Sequence, residues 1–286
     1  MYDIVCVGHI TKDRIVTPET INYQAGGTAW YVAQGLKAID AEKKIRWALI
    51  TAMATTDRKP VEDLRNEGCE VICFPSEKTL FFENKYGENF NHRTQKVLAK
   101  ANAFTLEQVT NIKARYTILG SLLAHDFPVE AFEQLHKQSC LVVDVQGYLR
   151  EVQGEEVHAV DWHEKQKLLK HVDILKLNEY EMEVLTGETE AKKAALKLAE
   201  WGVREVLLTF GSYGSLIYDS STQTFHEIAP IPPKRLVDAT GCGDTYVMGY
   251  VYQRAIGASV EEAGKFASKV ASLKLENQGP LLKIKR

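Results

Sequence analysis

Short apolar runs of strand-forming residues alternate along this chain with stretches of helical periodicity, and this alternation restricts the possible folds more than any other feature. The strand-like runs are 4–7, 46–51, 116–119, 141–145, 174–177 and 205–209. The helical stretches are 28–39, 61–67, 129–137, 164–171, 179–185 and 191–201. Apolar strands separated by helices are typical of a parallel sheet covered on both faces. We therefore expect an α/β fold, a doubly wound and mostly parallel sheet flanked by helices.

One part of the chain interrupts the alternation. Several strand-like segments follow one another there without a helix, at 71–74, 80–84 and 95–99, and residues 14–23 are extended directly after the first strand. This pattern predicts a small antiparallel β lid formed by about 13–25 and 71–101. A hairpin excursion without a role in binding is the alternative.

The remaining segments complete one domain. A second antiparallel pair is expected at 215–218 and 224–226, followed by helices at 245–256 and 260–275. Because no internal repeat or low-complexity linker divides the sequence, we expect a single domain over residues 1–286.

Composition excludes several classes of protein. The net charge of −3 leaves no basic surface of the kind that binds nucleic acid, and no apolar run approaches the roughly 20 residues that cross a membrane. The first residues lack the basic region of a signal peptide. The cysteines, at positions 6, 69, 73, 140 and 242, form no C-x-x-C pair. Free thiols of this kind favour a reducing, cytoplasmic environment.

A short motif near the carboxyl end carries the chemistry. Gly241 and Gly243 directly precede Asp244, ahead of a helix-compatible run. Glycines let backbone N–H groups approach a ligand, and a helix N-terminus favours negative charge, which indicates a cradle for an anionic group. A carboxylate in that cradle would repel a phosphate unless it accepts the proton of an attacking hydroxyl. A glycine-softened turn capped by Asp244 or Thr245 is the alternative, since the run is neither G-x-G-x-x-G nor a Walker A loop.

The motif Asp-Ala-Thr-Gly-Cys-Gly-Asp at 238–244 resembles the D-T-x-G-A-G-D signature of the PfkB (ribokinase-like) carbohydrate kinases. Further segments resemble the family's in the family's order. These are Val-Cys-Val-Gly-His at 5–9 followed by Asp13, Ala-Gly-Gly-Thr-Ala at 25–29, Asn-Glu-Tyr-Glu at 178–181 and Thr-Phe-Gly-Ser-Tyr-Gly at 209–214. Together they extend over nearly the whole chain and are far more specific than any one alone.

The resemblance implies a set of site residues. Asp244 would be the catalytic base, and the backbone of Gly241, Cys242 and Gly243 would form an anion hole. Substrate contacts would come from Asp13, Gly26, Gly27, Thr28, Arg93 and Gln146, although a turn-capping role for Asp13 and a solvated charge for Arg93 stay open. Nucleotide contacts would come from Asn178, Thr209, Gly211 and Gly214, with a plain strand-to-turn corner as the alternative for the last three.

The resemblance also implies cofactors and partners. ATP would be the co-substrate, and Mg²⁺ would be held by Glu181 through water, unless Glu181 only stabilises the start of its helix. The family often places K⁺ beside the segment that contains Asp238 and Thr240, so a K⁺ site there is a further expectation. The lid often serves for dimerisation, which suggests a homodimer.

The substrate class is indicated less directly. Many family members carry asparagines after the Gly-Gly pair, whereas this chain has Thr28, Trp30 and Tyr31. The segment Asp-Val-Gln-Gly-Tyr-Leu-Arg at 144–150 resembles a D-x-x-G-x-x-R variant of kinases close to inositol kinases. Cyclitols are therefore the first expectation, hexoses or pentoses the second and nucleosides the third. A catalytically silent sensor of sugar or nucleotide is the alternative from another class.

Overall fold

The computed structural model describes residues 1–87 and 93–282, except for the side chains of Tyr86 and Arg93. Its main sheet has the spatial order β15-β14-β13-β12-β9-β8-β1-β4-β5. The strands are β1 (Tyr2–Gly8), β4 (Trp47–Met53), β5 (Val71–Pro75), β8 (Ala114–Gly120), β9 (Cys140–Asp144), β12 (Ile174–Asn178), β13 (Glu205–Thr209), β14 (Ser215–Asp219) and β15 (Thr224–Ile228). All neighbours are parallel except the pairs β13–β14 and β14–β15. The predicted fold class is confirmed.

Helices cover both faces of this sheet, as the fully apolar strands require. One face packs against α1 (Thr28–Ile39), α2 (Lys59–Asn66), α8 (Cys242–Ala255) and α9 (Val260–Leu275), and the other against α3 (Leu106–Thr110), α4 (Glu130–His136), α5 (Lys165–Leu169), α6 (Glu179–Thr186) and α7 (Ala191–Glu200). Side chains alternate between the two cores along each strand. In β1, Ile4 and Cys6 belong to the first core, whereas Val5 and Val7 belong to the second.

A second, smaller sheet is formed by β2 (Thr11–Val16), β3 (Ile21–Gly26), β6 (Phe81–Tyr86), β7 (Arg93–Ala99), β10 (Arg150–Gln153) and β11 (Glu156–Ala159). Their spatial order is β10-β11-β7-β6-β2-β3. Three details differ from the sequence-based expectation. The small sheet was expected to be antiparallel, but β2 and β6, which are joined by a long connection rather than a hairpin, pair in parallel. Val71–Pro75, which was expected in the lid, pairs with β4 at the edge of the main sheet. The hairpin of β10 and β11 was not predicted, and it joins the small sheet through β7.

The two sheets meet near the carboxyl ends of the parallel strands, which is where open α/β sheets place their ligand sites. β1 runs directly into β2 of the small sheet, and β9 runs through a short 3-10 helix (Val145–Leu149) into β10. No helix within residues 1–87 and 93–282 combines the length and the apolar character that crossing a bilayer requires.

Candidate active site

Two adjoining cavities lie between the small sheet and the carboxyl ends of the main strands. The inner one has a volume of about 60 Å³, and Asp13, Gly27, Gly241 and Asp244 are among its lining residues. The outer cleft measures about 840 Å³ and reaches Asn178 and Glu181 at the start of α6. The two cavities share Gln95, Gln146 and Arg150. The fold thus brings the two aspartates, 231 positions apart in the sequence, to one small space.

Asp13 lies in β2 and is almost fully buried. The hydroxyl of Thr11 donates to its Oδ1 at 2.6 Å. Gly26 lies beside it in β3, and a Cβ atom at Gly26 would overlap the Oδ2 atom of Asp13. The missing side chain at position 26 therefore makes the space that the carboxylate occupies.

Gly27 caps the start of α1 with a φ of 84°, in the region that favours glycine. It lines the inner cavity, whereas Thr28 lies buried behind it. The side chain of Thr28 hydrogen-bonds Asp244, and this bond partly offsets the rise in the pKa of that carboxyl group that burial causes. The structure therefore places Thr28 against the candidate base rather than among the residues that line the inner cavity.

The first turn of α8 carries Asp244. Gly241 precedes the helix with a φ of 75°, and a side chain there would overlap the ring of Tyr31. The N–H of Cys242 donates to the carbonyl of Ala239 at 3.2 Å, so that amide already has an acceptor. The amide of Gly243 belongs to the same first turn, where N–H groups have no helical acceptor. The start of α8 thus directs the positive end of the helix dipole and its N–H groups toward the cavity.

The thiol of Cys242 points away from this chemistry. Burial raises its pKa, although the nearby charge of Lys274 acts in the opposite direction. Its Sγ lies 3.8 Å from the carbonyl of Ala271 in α9. A thiol with a raised pKa is a poor nucleophile, which agrees with reading it as a small packing residue.

Asp244 lines the inner cavity and is half-buried. Burial raises its pKa, and the negative charge of Asp144 acts in the same direction. The positive charge of Lys176 lowers it in part. A carboxyl group whose pKa is above the ordinary value is a better proton acceptor when ionised.

Lys176 is the residue that sequence reasoning missed most clearly. It projects from β12, is almost fully buried, and its Nζ lies 3.0 Å from Asp144 Oδ2 and 3.9 Å from Glu181 Oε2. Burial opposes its charge, yet the carboxylates of Asp144, Glu181 and Asp244 together raise its pKa above that of an ordinary lysine. A Cβ atom at Gly243 would lie 2.9 Å from this Nζ. The ammonium group therefore lies directly beside the first turn of α8.

Asn178 and Glu181 begin α6 as a reciprocal capping pair. Asn178 Oδ1 accepts the N–H of Glu181 at 2.9 Å, and Glu181 Oε2 accepts the N–H of Asn178 at 2.8 Å. Burial raises the pKa of Glu181, whereas Lys176 lowers it. Glu181 therefore stabilises the start of its helix, which is the role that the sequence left open. It also lines the outer cleft.

Glu181 is also the residue of this cleft for which a metal role was predicted. Among the residues that the structure describes, no group of three or more His, Cys, Asp or Glu side chains could hold an ion. Mg²⁺ keeps several of its waters in proteins, so a single carboxylate in a wide polar cleft fits this ion. Glu181 is such a carboxylate.

Of the other predicted substrate and nucleotide contacts that the structure describes, only Gln146 is among the residues that line the two cavities. Gln146 lines both cavities, and its N–H donates to Asp144 Oδ1 at 3.1 Å. Thr209 ends β13, and Gly211 and Gly214 bound the short 3-10 turn that leads to β14. Arg93 is in β7 opposite Tyr86, but its side chain is outside the described residues.

The small sheet adds three polar residues that were not among the predicted site residues. Asn84 in β6 is buried and lines the inner cavity, and Gln95 in β7 donates to its Oδ1 at 2.8 Å. Arg150 opens β10 and faces both cavities. Arg150 ends the segment at 144–150 that resembles D-x-x-G-x-x-R, whereas Asn84 could be recognised only with knowledge of its burial.

Asp238 lies just before the glycine motif. Its Oδ1 accepts the N–H of Thr240 at 2.8 Å, and its Oδ2 accepts the N–H of Gly279 at 3.0 Å. The ammonium of Lys274 is 2.7 Å from the backbone carbonyl of Asp238 and 3.2 Å from Oδ2. At the position where the sequence resemblance suggested K⁺, the structure therefore places a lysine.

Comparison with known proteins gives a consistent result. Residues 79–285 match the model of the pfkB family carbohydrate kinases. The chain is 25% identical over 285 residues to the cytidine kinase of Thermococcus kodakarensis, with 98% of each chain covered. It is 35% identical over 120 residues to the ribokinase of Arabidopsis thaliana, which covers 40% of this chain and 31% of that enzyme.

Solved structures agree in fold. A pyrophosphate-dependent kinase in the ribokinase family, complexed with a pyrophosphate analog and myo-inositol, has a TM-score of 0.86 at 27% identity and covers 98% of this chain and 97% of its own. The ribokinase of Arabidopsis thaliana complexed with ribose and ATP has a TM-score of 0.77 at 24% identity, covering 98% and 94%.

Proposed function

Because this chain belongs to the pfkB family of carbohydrate kinases, we propose that it transfers the γ-phosphoryl group of ATP to a hydroxyl of a small polyhydroxylated molecule. The observation that carries the proposal is that Asp13 and Asp244 line one small cavity at the first turn of a helix. The carboxylate of Asp13 is suited to binding hydroxyls, because it is an acceptor-only group. The carboxylate of Asp244 is in position to take a proton where a phosphate would be stabilised.

The mechanism assigns a step to each group. Asp13 accepts hydrogen bonds from substrate hydroxyls and orients the reacting one toward Asp244. Asp244 takes the proton of that hydroxyl, its oxygen attacks the γ-phosphorus in line, and the bond to the β-phosphate oxygen breaks to release ADP. The amides of Gly241 and Gly243, with the first-turn dipole, stabilise the negative charge on the transferring group. The amide of Cys242 contributes less, because it already donates to Ala239.

The donor side of the site is formed by the outer cleft. Asn178 lines it, and we assign Thr209, Gly211 and Gly214 to contacts with the nucleotide farther along the same edge of the sheet. Mg²⁺, which neutralises phosphate charge when bound, would be held by Glu181 through water. Lys176 adds a fixed positive charge between Glu181 and the first turn of α8.

The substrate class proposed first is a cyclitol, followed by a hexose or pentose. The inner cavity of about 60 Å³ takes the part of the acceptor that carries the reacting hydroxyl, and its lining includes the amide side chains of Asn84, Gln95 and Gln146 and the guanidinium of Arg150. Donors and acceptors on several sides suit a compact ring with a hydroxyl on every face. The similarity to a kinase solved with myo-inositol supports the same order.

A nucleoside is the third candidate acceptor, after the cyclitols and the simple sugars. The observation in its favour is the similarity to a cytidine kinase over 98% of both chains. The outer cleft adjoins the inner cavity and is large enough for a base attached to a sugar. A sugar in the inner cavity with its base in the cleft would, however, take space that the donor needs.

The test is a product assay on a matched panel of acceptors, with myo-inositol, ribose, fructose and cytidine each offered with ATP or pyrophosphate. We expect ADP release with a cyclitol or sugar, and none without acceptor. If orthophosphate is released from pyrophosphate in the presence of an acceptor, and ATP gives no ADP, then pyrophosphate replaces ATP as the proposed donor. If no acceptor on the panel is phosphorylated and one of them still binds saturably, the catalytically silent sensor is favoured instead.

The role of Asp244 is tested by Asp244→Asn, which keeps shape and removes the base. We expect kcat to fall by about 10²- to 10⁴-fold, the usual contribution of general base catalysis, with ATP affinity within about twofold of the wild type. Asp63→Asn, which changes an exposed acid of α2 that pairs with Lys59, is the matched control. Near wild-type turnover of Asp244→Asn would exclude the assignment.

A further inference from the structure

Lys274 is a fully buried cation that the proposed reaction does not use. It lies in the last turn of α9 with a relative exposure of 0%. Burial lowers its pKa, and the negative charge of Asp238 acts in the opposite direction. A lysine is buried so completely only where its charge is matched by oxygen acceptors.

The acceptors of Lys274 come from one residue of the loop that leads into the glycine motif. Its Nζ donates to the backbone carbonyl of Asp238 at 2.7 Å and lies 3.2 Å from the Oδ2 atom. The ring of Tyr31 lies on another side, with its centroid 5.9 Å from the Nζ. Carbonyl and carboxylate oxygens on one side and an aromatic face on another form a complete environment for a monovalent positive charge.

This environment is connected to the candidate anion hole by backbone hydrogen bonds. The N–H groups of Val237 and Asp238 both donate to the carbonyl of Leu275, the residue after Lys274. The carboxylate of Asp238 in turn accepts the N–H of Thr240, which immediately precedes Gly241. The position of Lys274 therefore determines the path of the loop that sets the first turn of α8.

A potassium ion does not fit beside this lysine. The oxygens of Asp238 that would bind it are those that Lys274 contacts, and a second positive charge would be repelled strongly inside the protein. We infer that the ammonium group of Lys274 takes the place of a monovalent cation beside Asp238, so that the chain holds its own cation and the anion hole forms without K⁺. The catalytic part of this inference rests on the proposed kinase activity.

The test compares the wild type with two variants in buffers of equal ionic strength containing K⁺, Na⁺ or tetramethylammonium. The wild-type rate should differ by less than about twofold between cations. Lys274→Ala removes the ammonium and leaves room beside Asp238, so its rate should fall at least about 10-fold in tetramethylammonium and recover in K⁺. Lys274→Met fills the space without a charge, so its rate should fall without recovery. Lys269→Ala, an exposed lysine of the same helix, is the control and should behave as the wild type.

A second measurement is independent of turnover. The thermal unfolding midpoint of Lys274→Ala should rise with K⁺ concentration, because an ion that binds only the folded state stabilises it, whereas those of the wild type and Lys274→Met should not. Activation of the wild type by K⁺ of 10-fold or more, or a Lys274→Ala protein whose rate and unfolding midpoint both ignore K⁺, would overturn the inference. If Lys274→Ala does not fold, cation-independent wild-type activity supports the inference and K⁺-dependent activity refutes it. A wild type without kinase activity refutes the proposed function alone, since the unfolding experiment still decides the cation site.

Discussion

The ammonium nitrogen of Lys176 lies 3.0 Å from the Oδ2 atom of Asp144, at the carboxyl ends of two adjacent strands, β12 and β9. Both side chains are almost fully buried, so each offsets the cost of burying the other's charge. Both also act on the pKa of Asp244 but in opposite directions, since Asp144 raises it and Lys176 lowers it. Burial has the largest effect on the pKa of Asp244, and this pair adjusts the pH at which the candidate base is ionised.

The pH dependence of kcat/KM tests that relationship. A base works when deprotonated, so activity is present above the pKa of Asp244 and is lost as the pH falls through it. Because that pKa is raised, the acid limb should lie at higher pH than the roughly 3.9 of a free aspartate. Asp144→Asn removes a repelling charge and should move the limb to lower pH. Lys176→Met removes an attracting charge and should move it to higher pH.

The opposite signs make this a test that a general loss of stability cannot mimic. Kinetics should be followed with unfolding at each pH, so that loss of folded protein is separated from titration. Shifts in the same direction for both variants would contradict the assignment of the acid limb to Asp244. Lys176→Met should also lower kcat at its own optimum, because it removes a fixed charge beside the phosphate cradle.

Gly26 provides a test of the substrate side. A Cβ atom at this position would overlap the Oδ2 atom of Asp13, which is too short and too buried to move away freely. Gly26→Ala should therefore reduce kcat/KM for the acceptor by about 10- to 100-fold, as expected for a misplaced positioning group. The KM for the phosphoryl donor should change little, since the displaced group lies in the inner cavity.

Gly87→Ala is the matched control for that substitution. It follows β6 of the same small sheet, is exposed, and its added Cβ would meet no atom of the described residues within 4 Å. Equal losses in the two variants would show that the small sheet tolerates no alanine at its glycines, and would remove the special role of Asp13. A loss confined to Gly26→Ala supports that role.

Periodicity predicted most of the main sheet because each strand is buried on both faces and each helix on one. Helix α9 was expected at 260–275 and is observed at Val260–Leu275. Val71–Pro75 was assigned to the wrong sheet, since a strand's own residues do not reveal whether it pairs with β4 or with the lid. The hairpin Arg150–Ala159 was missed because its short strands carry many charged and polar residues and little apolar alternation.

The site was predictable where backbone conformation requires a particular residue. Gly27 and Gly241 both adopt positive φ, and the motif that contains each was visible in the sequence. Lys176 and Lys274 were not, because each looks like an ordinary charge within a strand or helix. Their meaning depends on partners such as Asp144 and Asp238, which lie 32 and 36 positions away and meet them only in the folded chain.

A third prediction concerns stability at the opposite end of the sheet. Glu205 opens β13, is 2% exposed, and accepts hydrogen bonds from Tyr250 at 2.6 Å and Arg254 at 2.7 Å, both in α8. Glu205→Ala leaves both donors without this acceptor and should lower the free energy of unfolding by about 3 kcal/mol. Tyr250→Phe removes one of the two bonds and should cost about 1 kcal/mol.

Denaturant unfolding monitored by circular dichroism would measure both values, and Glu261→Ala, an exposed acid of α9 paired with Lys265, should change stability little. Because Glu205 lies at the amino end of its strand, away from the cavities, turnover of the folded variants at 25 °C should stay close to that of the wild type. A kcat that falls in proportion to the stability loss would mean that this end of α8 positions Asp244, since the same helix carries both groups.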